Sequence, residues 1–209
     1  MPELDHLIFA SPSLDEGIQH IEALTGAVAV AGGPHPGAGS HNALLAFNAA
    51  TYFEIIAIDP SQPEPSRPRS FGLDVTTEPR LAGYAIRPSP GETLNQVAEA
   101  MRSVGFDPGS VRDMSRLKPD GEHLHWRLTT LGQPSLPVST NPFIIDWGDT
   151  PNQAATLPSM GSLVSLTVLS DDEATKAVVD ALGLEVSVQP GDSRLIAAVN
   201  TPNGAVEIF

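Results

Sequence analysis

Apolar positions along this chain switch repeatedly between strand and helix spacing, and the switches predict its elements. Leu4 to Ala10 reads as an apolar strand that carries one histidine, His6. Leu14, Ile18, Ile21 and Leu24 then recur at helical spacing, which predicts a helix over about 14–24. Ser13 stands as its N-cap with Glu16 three residues on, a capping box, and Gly26 lies just past its end. A short strand over 27–31, a Gly/Pro loop over 32–40 (GGPHPGAGS) and strands near 41–47 and 51–58 complete the stretch.

The same order returns twice. A strand over 81–89 precedes a helix from Thr93 to Val104, with Leu94, Val97, Met101 and Val104 on one side. A variable loop over 107–121 and strands over 123–131 and 142–148 follow, with a turn near 132–141 between them. The last copy has a strand over 162–170, a helix opening at Asp171 and Asp172 and closing at Leu182-Gly183, then three short strands. Thr-Pro-Asn-Gly joins the final pair as a hairpin turn. Proline-rich 61–69 and the segment 149–160 are the connectors. Each helix is followed by several strands rather than one. This predicts an α+β fold of three βαβββ modules around a cupped mixed sheet, not a doubly wound α/β fold. The first two modules, 4–58 and 81–148, make one domain over 1–151, and the third occupies 160–209.

Charge and composition narrow the partners. The 209 residues include no cysteine, which removes disulfides, thiolate metal sites and cysteine nucleophiles and fits a cytoplasmic protein. Asp and Glu number 25 against 11 Lys and Arg, a net charge of −14 that repels phosphate backbones and anionic lipid. Nucleic acid and membranes are therefore not expected partners. No apolar run is long enough to cross a bilayer, and the N-terminus lacks the basic region of a signal peptide.

Candidate chemistry sits in the first module. His6 and Glu54 lie inside apolar strands, where an unpaired ionisable group is costly. They ligate metal, contact a ligand or pair with each other. His35 and His41 flank the glycine-rich loop, either rimming a pocket or decorating a surface; His41 is the candidate general acid or base beside Glu54. Asn42 neighbours it, and Tyr52 shares a strand face with Glu54. Trp126 and Trp147 either wall a binding cavity or fill the core. Asp146 either binds substrate or pairs with Arg127 across neighbouring strands. Walker, dinucleotide, nucleophile-elbow and HExxH motifs are absent from the sequence.

LDHLIFASPSLDEGI (4–18), GGPHPGAGSHNALLAF (32–47), YFEIIAIDP (52–60), the KPDG…LHWRL run (118–128) and PFIIDWGDTP (142–151) together resemble the glyoxalase-like family of the vicinal-oxygen-chelate superfamily, which includes glyoxalases, bleomycin-resistance proteins and dioxygenases. The resemblance implies a cup made by two modules, each offering a metal position on its first and last strand. A divalent ion there (Zn, Ni, Mn or Fe) chelates two neighbouring substrate oxygens. Module one supplies His6 and Glu54. YFEIIA aligns with AVEIF, so Glu207 of module three completes the set if one pairs with three, although Ser165 stands where a second histidine is needed. Asp146 or His41 completes it if one pairs with two, the pairing favoured by the denser resemblance. The implied function is binding of a small oxygen-rich metabolite. It is coupled either to a metal-assisted lyase, isomerase or dioxygenase reaction, or to metal-free binding or sequestration. An odd module out implies a homodimer, with the leftover sheet face pairing across a two-fold axis.

Overall fold

The first stretch folds as β1 (Glu3–Ala10), α1 (Leu14–Thr25), β2 (Val30–His35), β3 (Ser40–Ala46) and β4 (Tyr52–Ile58). The computed structural model describes residues 1–117, 121, 123–130 and 136–209. The Ser13 side chain accepts the Glu16 backbone N–H, and Gly26 ends α1 in the left-handed conformation at φ 75°. Helix α1 lies so close over β4 that a Cβ at Gly17 would stand 2.6 Å from Ile55 Cγ2. The expected loop over 32–40 is shorter than its glycines and prolines suggest. Strand β2 runs on through Gly32, Gly33 and Pro34. It is an edge strand, where proline forfeits little of the ladder, and a register shift between Ala31 and Gly33 absorbs the glycines.

The second stretch folds as β5 (Arg80–Arg87), α2 (Leu94–Ser103), β6 (Ser110–Leu117), β7 (His123–Thr130) and β8 (Phe143–Asp146). Thr93 and Gln96 build a reciprocal capping box on α2. Strand β6 occupies most of the expected variable loop, paired along its length with β7. Lys118 to Asp120 of the KPDG run, Glu122, and residues 131–135 of the expected turn lie outside the described residues.

These strands form one eight-stranded sheet in the order β2-β3-β4-β1-β5-β8-β7-β6. In each module the first strand runs parallel to the last, β1 beside β4 and β5 beside β8. The modules join where β1 and β5 run antiparallel. The two ends of the sheet, β2 and β6, approach each other, so the sheet is a nearly closed cup. Period-two alternation sorts the faces. Leu7, Phe9, Phe53 and Ile55 point outward into a core with Ile21 of α1 and Val97 and Met101 of α2. Ile8, Tyr52, Ile56, Trp126, Phe143 and Ile145 point into the cup.

The third stretch folds as β9 (Ser162–Leu169), α3 (Glu173–Leu182), β10 (Ser187–Gln189), β11 (Arg194–Thr201) and β12 (Gly204–Ile208). Its element order repeats the other modules, but its strand pairing does not. The order is β10-β9-β11-β12, so the last strand is separated from the first by β11. Glu207 consequently stands exposed on β12 opposite Ala198, in a different sheet from His6 and Glu54. The expected equivalence of Glu207 with Glu54 fails, because in module one β4 lies directly beside β1. Leu166, Val168, Leu195, Val199 and Ile208 share one core with α1, α2 and the outer face of the cup. One face of the second sheet is thus covered within the chain, while Val164 on its other face is exposed. Among the described residues, no helix is long and apolar enough to cross a membrane.

Candidate functional site

Three neighbouring strands of module one turn their polar residues into the cup. Register places His6 opposite Tyr52 and Ile8 opposite Glu54 across β1 and β4, while Asn42 and Leu44 face the same way from β3. Together with residues of module two they line a cavity of about 660 Å³. Glu54 is 7% exposed and is the hub of its polar floor. Its Oε2 lies 3.4 Å from His6 Nε2, and its Oε1 lies 3.6 Å from His35 Nε2. Asn42 Nδ2 donates to Oε1 at 2.7 Å and reaches His35 Nε2 at 3.3 Å. Each imidazole is held from behind. His35 Nδ1 bonds Ser40 Oγ at 3.0 Å. His6 stacks on Tyr52 with ring centroids 4.4 Å apart, and its Nδ1 bonds Asp5 Oδ1 at 2.7 Å.

Simple alternation sends Asp5 to the face opposite His6, which hides it in the sequence. A register shift between Leu4 and His6 brings both side chains together. Its fully buried carboxylate also accepts the Trp147 indole N–H at 3.3 Å and lies 3.5 Å from the Arg87 guanidinium. A carboxylate on Nδ1 fixes the imidazole's tautomer and aims Nε2 at its target, here Glu54.

Arg116 of β6 enters the cup from the opposite edge and is 4% exposed. Its Nη2 donates to Gln153 Oε1 in the connector after β8. Gly32 makes room for this meeting of sheet ends: a Cβ there would collide with the Asn42 side-chain oxygen and stand 3.1 Å from Arg116 Nη1. No sequence signal marks β6 as a strand or the connector after β8 as part of the cup, which hides Arg116 and Gln153.

Burial sets the protonation of two members. His35 is pulled below its ordinary value by desolvation. Glu54 opposes the shift, and Arg116, His41 and His6 add to it. Tyr52 is pushed well above its ordinary value by burial and by Asp5 and Glu54, so it keeps its proton. His35 has a stability consequence. An unfolded chain protonates this histidine near 6.5, whereas the folded chain resists until lower pH. The folded state's advantage is therefore complete above that value and is lost as pH falls through it, levelling off below the folded value. Unfolding free energies from urea titrations at pH 7.5 and 5.5 should fall more for wild type than for His35→Gln, by up to about 1.4 kcal/mol in all across that interval. Equal slopes in the two proteins would refute this.

The other candidates separate by strand face. His41 points away from the cup, because it sits between Ser40 and Asn42 on β3 and the alternation that turns those two inward turns it outward. The imidazole beside Glu54 is instead that of His35. Asp146 likewise lies outside the cup, where Arg127 Nη2 donates to it across β7 and β8. Trp126 and Trp147 line the cup with centroids 5.5 Å apart. Phe71 closes it from above in the left-handed conformation (φ 60°, ψ 24°), its ring 5.8 Å from Phe143.

A family model described as "Glyoxalase-like domain" matches residues 4–183. The chain belongs to that family. The glyoxalase-like domain places it in the vicinal-oxygen-chelate superfamily, and the match runs past the cup through α3. No curated protein matches the chain. Among solved structures, a hypothetical protein from Staphylococcus aureus is similar with a TM-score of 0.69 at 14% identity, covering 100% of this chain and 96% of that one. The Mn(II)-bound glyoxalase from Novosphingobium aromaticivorans is similar with a TM-score of 0.51 at 10% identity, covering 99% and 82%. Methylmalonyl-CoA epimerase from Mycobacterium tuberculosis matches over 68% of this chain and 85% of its own at 21% identity, with a TM-score of 0.41. Identities this low speak for the fold alone.

The donor set of this glyoxalase-like domain does not fit the superfamily's chelated ion. Module two turns Ala82, Ala85, Phe143 and Ile145 inward and contributes no ligand from β5 or β8. Asn42 already occupies Glu54 Oε1, and the Arg116 cation faces the same carboxylate. Glu207 is in another sheet. Among the described residues, no group of three or more His, Asp or Glu is arranged to hold an ion.

Proposed function

We propose that the cup binds a small oxygen-rich metabolite without a resident metal and that Glu54 moves a proton on it. The observation that carries this reading is the buried Glu54 carboxylate, set between His6 Nε2 at 3.4 Å and His35 Nε2 at 3.6 Å on the floor of the cavity. A carboxylate whose proton can pass to either of two oriented imidazoles is suited to taking a proton from carbon beside a carbonyl. Returning it to the same or the neighbouring carbon gives isomerisation, and loss of a group one carbon further gives a lyase. Asp5 holds His6 in line. Tyr52 keeps a hydroxyl proton to donate, and the aromatic walls exclude water.

The test is solvent exchange. A panel of small 2-oxo acids, hydroxyketones and 2-oxoaldehyde hemithioacetals is incubated with the protein in D2O and followed by proton NMR. Protein-dependent loss of the signal next to the carbonyl in at least one compound is expected. No exchange in any of them would leave a metal-free binding or sequestering protein, the reading favoured by the missing ligands of module two. Elemental analysis of untagged protein incubated with zinc, nickel, manganese or iron should find far less than one equivalent. Near-stoichiometric metal that disappears in Glu54→Ala would return the site to chelation chemistry.

A further inference from the structure

The cup has the opposite charge to the molecule around it. Twenty-five acids outnumber eleven Lys and Arg in the chain, yet among the described residues that line the cavity Glu54 is the one carboxylate, against Arg67, Arg69, Arg112 and Arg116. Arg69 is committed, bonded to Glu64 and Asp74. Arg67 and Arg112 are exposed around the cavity. Arg116 is different: it is 4% exposed, and Nη1 has no hydrogen-bond partner among the described residues. Beside it, across Gly32, the buried Asn42 Oδ1 also has none among the described residues. A buried guanidinium nitrogen left unpaired is costly, and native sites keep such groups where a ligand completes them.

We infer that the cup takes a small carboxylic acid whose carboxylate is bound by Arg116 Nη1, with an adjacent hydroxyl placed to donate to Asn42 Oδ1. This rests on the reading of the cup as the ligand site and names the class of compound that enters it. With Nη2 held by Gln153, one terminal nitrogen is free, enough for one carboxylate oxygen but a poor match for a phosphate ester's three. Arg67 and Arg112 draw the anion inward against the field of the rest of the surface. The carboxylate end lies towards β6, which leaves the neighbouring carbons on the module-one side, over Glu54.

The chain's two tryptophans, Trp126 and Trp147, both border the cavity, so their fluorescence reports occupancy without turnover. The titrants are 2-oxo and 2-hydroxy acids of three to nine carbons, each beside its methyl ester. At least one acid should bind about tenfold or more tightly than its ester, the usual range for a charge-assisted hydrogen bond. Arg116→Gln should remove that preference, whereas Arg116→Lys, which keeps the charge, should retain part of it. Glu54→Gln should leave it in place, so a wild-type rate of proton exchange in that variant with the acid preference intact would fault the catalytic reading and not this one. Binding of none of the acids, a preference that survives Arg116→Gln, or displacement of the acid by inorganic phosphate at equal concentration would overturn the carboxylate assignment.

Discussion

Glu54→Gln is expected to slow proton exchange on a responsive compound by about 10²–10⁴-fold, the range associated with a positioned acid or base. The substitution is nearly isosteric. A glutamine carbonyl can still accept from Asn42 Nδ2, and its amide can donate to His6 Nε2, so the floor of the cup keeps its hydrogen bonds. What it loses is the carboxylate's ability to take a proton. Stability should move little, because an amide is easier to bury at 7% exposure than a carboxylate. The measurement is the rate of signal loss in D2O for both proteins, with urea midpoints measured alongside. An exchange rate equal to wild type in a folded Glu54→Gln protein would remove Glu54 from the chemistry.

Asp5→Ala is expected to destabilise the fold by about 3–5 kcal/mol, the cost of removing one partner from a buried ionic cluster. Three groups lose an acceptor at once: His6 Nδ1, the Trp147 indole and the Arg87 guanidinium. Arg87 keeps its bonds to the Leu4 and Ala50 carbonyls and to Glu3, which limits the damage on that side. His6 and Trp147 have no such substitute among the described residues. For a chain of this length the loss corresponds to a fall in Tm on the order of 10 °C. Asp5→Asn keeps an oxygen to accept from His6 and Trp147, so it should fall between wild type and Asp5→Ala. Calorimetry of the three proteins separates the part due to hydrogen bonding from the part due to charge. A loss below about 1 kcal/mol in Asp5→Ala would mean that the carboxylate does not organise the site.

The site was half readable from residue types. His6 and Glu54 are conspicuous as ionisable groups in apolar strands, and alternation from Glu54 reaches Tyr52 correctly. The same rule, applied without register, does not say which neighbours face inward. Adjacent residues on one strand, His41 and Asn42, cannot both face the cup; register with β4 turns Asn42 in and His41 out. Its glycines and prolines make the stretch around His35 read as a loop, but β2 extends under it and carries its ring to within 3.6 Å of Glu54. Strand β6 was invisible for a different reason. Its inward residues are Arg112, Met114 and Arg116, and its outward Val111 and Leu117 are exposed, so no apolar face announces a strand. A strand lining a polar cavity with solvent behind it inverts the pattern used to find strands.

Helix ends, strand spacing and the threefold recurrence of strand, helix and strands could all be read along the chain, because capping and side-chain periodicity depend on residues a few positions apart. Ser13, Thr93 and Asp172 cap the helices from one residue outside them. Strand pairing is another matter. Modules one and three share their element order and even the Glu54-like motif, yet β4 lies beside β1 while β12 lies beside β11. Pairing is chosen by which faces a strand can bury once the helices and the second sheet have packed. That choice placed Glu207 in solvent, and it brought His35 and Arg116 into one cup and Asp5 behind its His6, from positions up to 111 residues apart.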